Sequence, residues 1–306
     1  MIFVQIASYR DPELIPTVLD LVSKAIDPTK LRIVVAWQHD DLETLEPIKN
    51  LIEYIDIPYI ESRGVCWARS LIQQKYKGEE YTLQLDSHHR FVQGWDAILL
   101  NMYDQCKSMG SEYPLLTTYL PNYDAFTEEF INEAWQIKVE KFMDEGPLFF
   151  VPEPILNFKE LDSPIPARFY SGHFAFTDGQ FCKQVSHDPE YYFYGEETNI
   201  GVRAFTYGYD LYHPHQLIAW HQYNRNYRPT HWNDHKFKNH EWWNIDKKST
   251  SKFCNDFGID GKTINKNIFG TVRSLQDYEL YAGIRFSDRY ISPYTLSNLC
   301  PPESLV

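Results

Sequence analysis

Residues 1–37, MIFVQIASYRDPELIPTVLDLVSKAIDPTKLRIVVAW, carry two short apolar runs on either side of an amphipathic segment. The runs at 2–7 and 31–37 are too short for helices and predict buried strands. Between them, Asp11 is a candidate N-cap and Pro12 a first helical residue. Apolar residues then recur at helical spacing, at Leu14, Val18, Leu21 and Val22. Apolar strands that alternate with helices indicate a parallel sheet covered on both faces.

The same alternation continues to about residue 120. Helices are predicted at 64–76 and 95–106, and strands at 82–85 and 115–119. This half of the chain therefore predicts a βαβ sheet of the nucleotide-binding type, whose ligands lie at the carboxyl ends of the strands.

The second half is less regular, and residues 121–170 are rich in Pro and Phe. Weaker patterns predict strands at 172–176 and 217–221 and helices at 197–207 and 274–282. Residues 222–243 are dense in Trp, His, Asn and Tyr but poor in aliphatic residues, which predicts a functional loop or mobile lid. Because no repeat or clean linker interrupts the chain, we predict one α/β domain with a C-terminal elaboration.

Composition excludes several classes of protein. A length of 306 residues and a hydrophobic fraction of 43% can build a substantial core. Aromatic residues make up 16% of the chain, and most of them are expected in that core. The net charge of −13 argues against unaided binding of nucleic acid or anionic membranes. Five widely spaced cysteines, no membrane-length apolar run and no leader pattern predict a soluble, cytoplasmic protein.

The segment YTLQLDSHHRF, residues 81–91, places polar groups directly after an apolar strand. Strand alternation points Asp86 and His88 to the same side. A carboxylate beside an imidazole suits a divalent ion such as Mn²⁺. The alternative is a polar turn with a structurally satisfied histidine.

Two further segments carry candidate site residues. In ESRGVCWARSLI, residues 61–72, Arg63, Gly64 and Arg69 lie at a predicted helix start, which favours an anion such as a diphosphate. The alternative is a surface arginine and a turn glycine. In YFYGEETNIGVR, residues 192–203, the two glutamates after Gly195 open a helix, where a solvated cap is the alternative. His221 ends a predicted strand and could complete a metal site, or it could simply be a histidine at a strand edge.

The order of these motifs resembles a known group of enzymes. RGVCWAR (63–69), LDSHHRF (85–91), GWD (94–96), SGHFAF (171–176) and GEETNIGVRAFTYG (195–208) precede the strand that ends at His221. Together they resemble the GT-A nucleotide-sugar transferases, in particular polypeptide N-acetylgalactosaminyltransferases. They resemble more closely the cytoplasmic α-N-acetylglucosaminyltransferases that modify protein hydroxyproline. The resemblance covers about residues 1–225, and TVRSLQDYELYAGI (271–284) fits the latter group.

This resemblance implies an α/β GT-A catalytic domain over residues 1–225 and a C-terminal lid and extension over 226–306. It implies transfer of GlcNAc from UDP-GlcNAc, with retention, to a hydroxyl of protein Ser, Thr or hydroxyproline or of a glycan. Mn²⁺ or another divalent cation would be held by Asp86, His88 and His221, and Glu196 and Glu197 are the candidate catalytic residues. The implied substrate-binding residues are Ala7, Ser8, Arg10, Arg63, Gly64, Arg69, Ser87, Gly172, His173, Arg225, Tyr227, Arg228 and Trp232.

Two other functions are compatible with the same residues. A metal-dependent phosphoesterase would hydrolyse a nucleotide sugar at the cluster of Asp86, His88 and His221 without an acceptor. A binding protein would bind the ligand with the aromatic residues near 220–243 and release no product. Release of UDP with and without acceptors distinguishes the three.

Overall fold

The computed structural model describes residues 1–237 and 241–301, and its secondary structure alternates over the first half of the chain. The helices in these ranges are α1 Leu14–Lys24, α2 Val65–Gln73, α3 Trp95–Ser108, α4 Phe181–Gln184, α5 Glu196–Thr206, α6 His231–Asp234, α7 Trp242–Asp256, α8 Leu275–Ala282 and α9 Pro293–Leu296. The strands are β1 Ile2–Tyr9, β2 Leu31–His39, β3 Ile52–Pro58, β4 Tyr81–Asp86, β5 His89–Phe91, β6 Tyr113–Thr117, β7 Tyr123–Asp124, β8 Glu129–Phe130, β9 Trp135–Phe142, β10 Leu148–Pro154, β11 Ile165–Pro166, β12 Phe174–Asp178, β13 Tyr209–His213, β14 Ala219–His221, β15 Ile284–Arg285 and β16 Tyr290–Ile291.

One eight-stranded sheet organises the molecule, in the order β11-β13-β6-β12-β4-β1-β2-β3. Strands β4, β1, β2 and β3 are parallel neighbours, and β13 runs parallel to β6. Strand β12 lies antiparallel between β4 and β6. Apolar clusters cover both faces of this sheet, as expected for two-sided apolar strands. The predicted α/β class is confirmed.

The predicted elements of the first half are present with small shifts at their ends. Helix α1 differs, because it begins at Leu14 and has no side-chain cap. Asp11 and Pro12 lie in the turn before it, where Asp11 accepts a bond from the backbone nitrogen of Glu13 at 3.0 Å. Strand β3 is not predicted from the sequence. Its residues are mostly solvent-exposed, as is typical of an edge strand, so it lacks the continuous apolar run by which β1 and β2 are recognised.

The second half contains more regular structure than its composition predicts. The β9–β10 hairpin lies within the Pro- and Phe-rich segment 121–170, and β13 was also not predicted. Helix α7 overlaps the end of the predicted loop 222–243. This part of the prediction is wrong, because α7 is anchored by residues further along the chain, where Phe253 packs in the main core. Tyr278 and Tyr281 of α8 join the same core.

Two further properties follow from the described residues. All five cysteines are free, and only Cys300 is exposed. Among residues 1–237 and 241–301, no helix combines the length and apolarity that a membrane crossing requires.

Candidate functional site

A cleft with two lobes opens at the carboxyl ends of β1 and β4, where ligands of open α/β sheets bind. The smaller lobe has a volume of about 690 Å³ and the larger one about 1240 Å³. Both lobes are lined by Val65, Asp86, Phe193 and Arg225. The end of β4 is therefore the point where the two lobes meet.

Asp86, His88 and His221 form a cluster at this point. The Nε2 atoms of His88 and His221 lie 3.7 Å and 3.4 Å from Oδ2 of Asp86. One ligand atom from each of the three residues lies within 4.8 Å of the others. Asp86 ends β4, and β14 brings His221 to it by pairing antiparallel with β5. The structure thus brings together the three residues that the sequence analysis proposed as metal ligands.

The two successive histidines after Ser87 have different roles. Nδ1 of His88 donates to Oδ2 of Asp11 at 2.7 Å, so its Nε2 is free to face the cluster. His89 points away, donating from Nδ1 to the carbonyl of Trp220 at 3.0 Å and accepting from the backbone nitrogen of Asp86 at 3.3 Å. Burial lowers the pKa of His89 well below its usual value, which keeps it neutral for this double role. His89 therefore fixes the backbone that presents the cluster.

Arg69 lies beside the cluster in a role different from the predicted one. Its guanidinium donates to Oδ1 of Asp86 at 2.6 Å and to Oε1 of Glu196, while His187 approaches the same Glu196 oxygen at 2.8 Å. Burial raises the pKa of Glu196, but the charge of Arg69 and the bond to His187 outweigh it and lower the pKa to about 2. Arg69 thus pairs with two carboxylates instead of lying free at the helix start for an anion.

Glu197 lines the larger lobe. It accepts bonds from the backbone nitrogen of Gly172 at 2.8 Å and from the hydroxyl of Tyr119 at 2.7 Å. Burial raises its pKa to about 7, against these hydrogen bonds. His173 lines the same lobe and accepts from the backbone nitrogen of Leu120 at 3.1 Å. Since Glu196 is buried and both glutamates are hydrogen-bonded within the fold, a solvated helix cap does not describe this segment.

The predicted substrate-binding residues divide between the cleft and its surroundings. Those that line one or both lobes are Ala7, Gly64, Arg69, Ser87, Gly172, His173, Arg225, Arg228 and Trp232. Ser8, Arg10, Arg63 and Tyr227 do not. Arg10 pairs with Asp40 and Asp234, and Arg63 is exposed above the ring of Trp67.

Gly64 has a specific steric reason to be glycine. Its φ of +106° is strained for any residue with a side chain, and a Cβ there would lie 2.7 Å from the ring of Tyr192. Both residues line the smaller lobe, so the glycine lets the start of α2 approach the aromatic wall.

The aromatic segment 222–237 packs over the smaller lobe. The ring of His231 lies 2.7 Å from the Tyr192 hydroxyl, and Asp234 accepts a bond from Tyr9 at 2.9 Å. Arg225 lies above the rings of Phe193 and Trp232, at 5.6 Å and 5.4 Å. Residues 238–240 of the predicted loop lie outside the described residues.

Sequence reasoning missed several residues of the site. The sequence around Asp11 indicates only a helix cap, whereas its contact with His88 comes from the tertiary fold. Tyr119 ends a predicted strand, and the rule that identified Asp86 could also have identified it. His187 and Tyr192 carry no local pattern, since only the tertiary fold brings them to Glu196 and Gly64.

Comparison with known proteins agrees with this architecture. The family model described as Glycosyltransferase (GlcNAc) matches residues 1–51 and 42–255. GalNAc-T7, crystallised with UDP, GalNAc and Mn²⁺, superposes with a TM-score of 0.60 and 15% identity, over 91% of this chain and 54% of that one. TarS 1-349 of S. aureus superposes with a TM-score of 0.48 and 11% identity, over 72% of this chain and 60% of that one. No curated protein matches at a significant level.

The chain spans about half the length of GalNAc-T7, and at this low identity the likeness shows the fold alone. The family match is stronger evidence because it extends over most of the 306 residues. The structural likeness agrees with the mostly parallel central sheet. The chain therefore belongs to the Glycosyltransferase (GlcNAc) family and has the GT-A fold.

Proposed function

We propose that this protein is a metal-dependent glycosyltransferase that moves GlcNAc from UDP-GlcNAc to a hydroxyl group of a protein or glycan. The observation that carries the proposal is the cluster of Asp86, His88 and His221 at the junction of the two lobes. A donor in the smaller lobe and an acceptor in the larger lobe would meet at this junction.

The donor set of the cluster suits a divalent cation. One carboxylate and two imidazoles favour a borderline ion such as Mn²⁺ over the all-oxygen sites that Mg²⁺ prefers. The Asp11 contact leaves Nε2 of His88 free for a ligand role. A bound cation would supply positive charge at the diphosphate of the donor. The presence of UDP and Mn²⁺ in the GalNAc-T7 crystal structure supports this choice.

Residues of the chain would bind and orient the rest of the donor. Arg225 and Arg228 line the smaller lobe and would face the negative charge of a diphosphate. Segment 222–237 would act as a lid that excludes water from the bond being broken. We propose that its residues 226–237 belong to the C-terminal lid and extension, residues 226–306, that completes the catalytic domain 1–225. In a donor-bound structure, Trp232 should lie within contact distance of the donor.

The two glutamates have distinct proposed roles. Arg69 and His187 both contact Oε1 of Glu196, so Glu196 would act by holding Arg69 against Asp86. Glu197 lines the larger lobe and would hydrogen-bond a hydroxyl of the sugar or the acceptor. Retention at the anomeric carbon, which the resemblance implies, is tested by the anomeric NMR signal of the product.

The decisive experiment measures UDP release from UDP-GlcNAc and Mn²⁺, with and without candidate acceptors identified by mass spectrometry. Transferase activity requires an acceptor-dependent rate and a product heavier by one sugar. Acceptor-independent release would indicate a hydrolase, and binding without release would indicate a binding protein. Asp86→Asn should abolish release. Asp178→Asn is the matched control, because Asp178 pairs with the opposite end of β4. Cytoplasmic location stays a prediction for cell fractionation.

A further inference from the structure

Asp11 is a buried carboxylate of which the proposed function uses only the contact with His88. Its side chain is fully buried, at 0% exposure, in the turn between β1 and α1. Oδ1 accepts a bond from the backbone nitrogen of Glu13 at 3.0 Å. Oδ2 accepts from Oγ of Ser87 and from Nδ1 of His88, each at 2.7 Å. One oxygen therefore serves the turn, and the other faces the metal cluster.

The contact with His88 determines which nitrogen of that ring can bind a cation. An ionised carboxylate only accepts hydrogen bonds, so the proton of a neutral His88 lies on Nδ1. The lone pair of Nε2 then faces Asp86, whose Oδ2 is 3.7 Å away. Carboxylates that hold the second nitrogen of a metal-binding histidine fix its tautomer and ring orientation.

The same oxygen also faces Arg228. Nε of Arg228 lies 3.6 Å from Oδ2 of Asp11 and has no hydrogen-bond partner among the described residues. The side chain of Arg228 is only 13% exposed and lines the smaller lobe. Arg228 belongs to segment 222–237, which is remote from Asp11 along the chain. A single buried oxygen thus connects a residue of the cluster with an arginine of the covering segment.

We propose that Asp11 is a positioning residue that links the metal cluster to segment 222–237. It presents Nε2 of His88 to the cation and holds Arg228 over the smaller lobe. The inference rests on the metal site of the proposed function. The two tasks differ in what they require of the side chain, because His88 needs an acceptor oxygen whereas Arg228 needs a negative charge.

This difference sets the design of the variants. Asp11→Ala removes both the acceptor and the charge, whereas Asp11→Asn keeps an amide oxygen that can accept from His88. Arg228→Gln removes only the other partner of the charge contact. Asp20→Asn is the matched control, because Asp20 lies on the following helix, accepts from the backbone nitrogen of Phe91 at 2.6 Å and pairs with Lys24 at 2.9 Å.

Three measurements need no turnover. Electron paramagnetic resonance of free Mn²⁺ gives the Mn²⁺ affinity of each purified protein, which should fall about 10- to 100-fold in Asp11→Ala and less in Asp11→Asn. Long-range ¹H–¹⁵N spectra report the His88 tautomer, with its signals assigned by their loss in His88→Gln. Hydrogen exchange of segment 222–237 should accelerate in Asp11→Ala, Asp11→Asn and Arg228→Gln. Asp20→Asn should match the wild type in all three.

The outcomes separate this inference from the proposed function. If the wild type binds no Mn²⁺, the metal site fails and the link fails with it. If the wild type binds Mn²⁺ and both Asp11 variants bind it equally well with an unchanged His88 tautomer, only the link is wrong. Unchanged exchange of segment 222–237 in Asp11→Asn and Arg228→Gln would also overturn the link. Circular dichroism of each variant verifies that it is folded.

Discussion

Replacement of Glu196 by Gln tests whether this residue acts through a buried ion pair. The side chains of Arg69 and Glu196 are 3% and 6% exposed. Arg69 also forms an ion pair with Asp86 of the proposed metal site. Glutamine keeps the size of the side chain but removes its charge. The variant should therefore leave Arg69 with Asp86 as its only carboxylate partner among the described residues, and it should disturb both stability and metal binding.

The expected loss of stability follows from the pKa of Glu196. The Arg69 charge and the His187 contact lower this pKa from 4.5 to about 2 against the effect of burial. A pKa difference of one corresponds to about 1.4 kcal/mol, so the ionised form contributes about 3 kcal/mol. Breaking one side of a buried ion pair costs a similar amount. For 306 residues this loss lowers Tm by about 5 °C.

The stabilisation by ionised Glu196 depends on pH with a defined sign. Because the folded-state pKa is depressed, the stabilisation is fully present above 4.5 and is lost as the pH falls towards about 2. Urea unfolding should therefore show a constant difference between wild type and Glu196→Gln above pH 4.5, which shrinks below it. The double variant of Glu196→Gln and Arg69→Met should lose less unfolding free energy than the sum of the losses of the two single variants.

Activity provides the second measurement. Transfer should fall about 100-fold, equal to about 2.7 kcal/mol of transition-state stabilisation. Affinity for Mn²⁺ should fall as well, because Arg69 would hold Asp86 less firmly. A stability loss below about 1 kcal/mol at neutral pH, with normal turnover, would show that Glu196 only begins a helix and would refute the ion-pair reasoning.

The remaining predictions concern the cation, the nucleotide lobe and the second glutamate. Excess EDTA should abolish transfer and Mn²⁺ should restore it best, whereas full activity in EDTA would rule out the metal site. In calorimetry with Mn²⁺, UDP should bind more tightly than GDP, and Gly64→Ala should weaken UDP binding at least about 10-fold because its Cβ would meet the ring of Tyr192. Gly78→Ala is the control for Gly64→Ala, since Gly78 has a similar φ of +105° but no atom within 4 Å of its Cβ, and it should lose only stability, about 1–2 kcal/mol. Glu197 has a pKa raised by burial to about 7, so its own contribution to stability should fall as the pH rises from 4.5 through 7. Glu197→Gln should remove this dependence, which is worth about 1–3 kcal/mol, and urea titrations across this range would show it.

The parts of the fold that were predictable are those in which local sequence and tertiary burial agree. Strands β1, β2 and β4 are apolar because both faces of the central sheet are covered. Strand β3 and the β9–β10 hairpin lack that coverage on part of their surface, so their composition resembles that of loops. The sequence does not indicate helix α7, because the aromatic and polar residues at its start resemble those of a loop.

The site was predictable where function is carried by residues at a strand end. Asp86 ends β4, His88 follows it by two residues, and His221 ends β14. The network behind them was not predictable, because its partners come from distant parts of the chain. Asp11 and His88 are 77 residues apart, and Arg69 and Glu196 are 127 apart. No local period encodes such contacts, which depend on how the elements pack.

The charges of the cleft explain why a cation is expected to be necessary in a chain with a net charge of −13. Arg69 is already paired with Asp86 and Glu196, and Arg228 lies 3.6 Å from the carboxylate of Asp11. Within the described residues, Arg225 is the cleft arginine that forms no ion pair, and burial lowers its pKa. One such arginine cannot balance the negative charges of a diphosphate placed beside Asp86, and a divalent ion would supply the missing positive charge. The pairing of the arginines thus predicts metal dependence on grounds separate from the family resemblance.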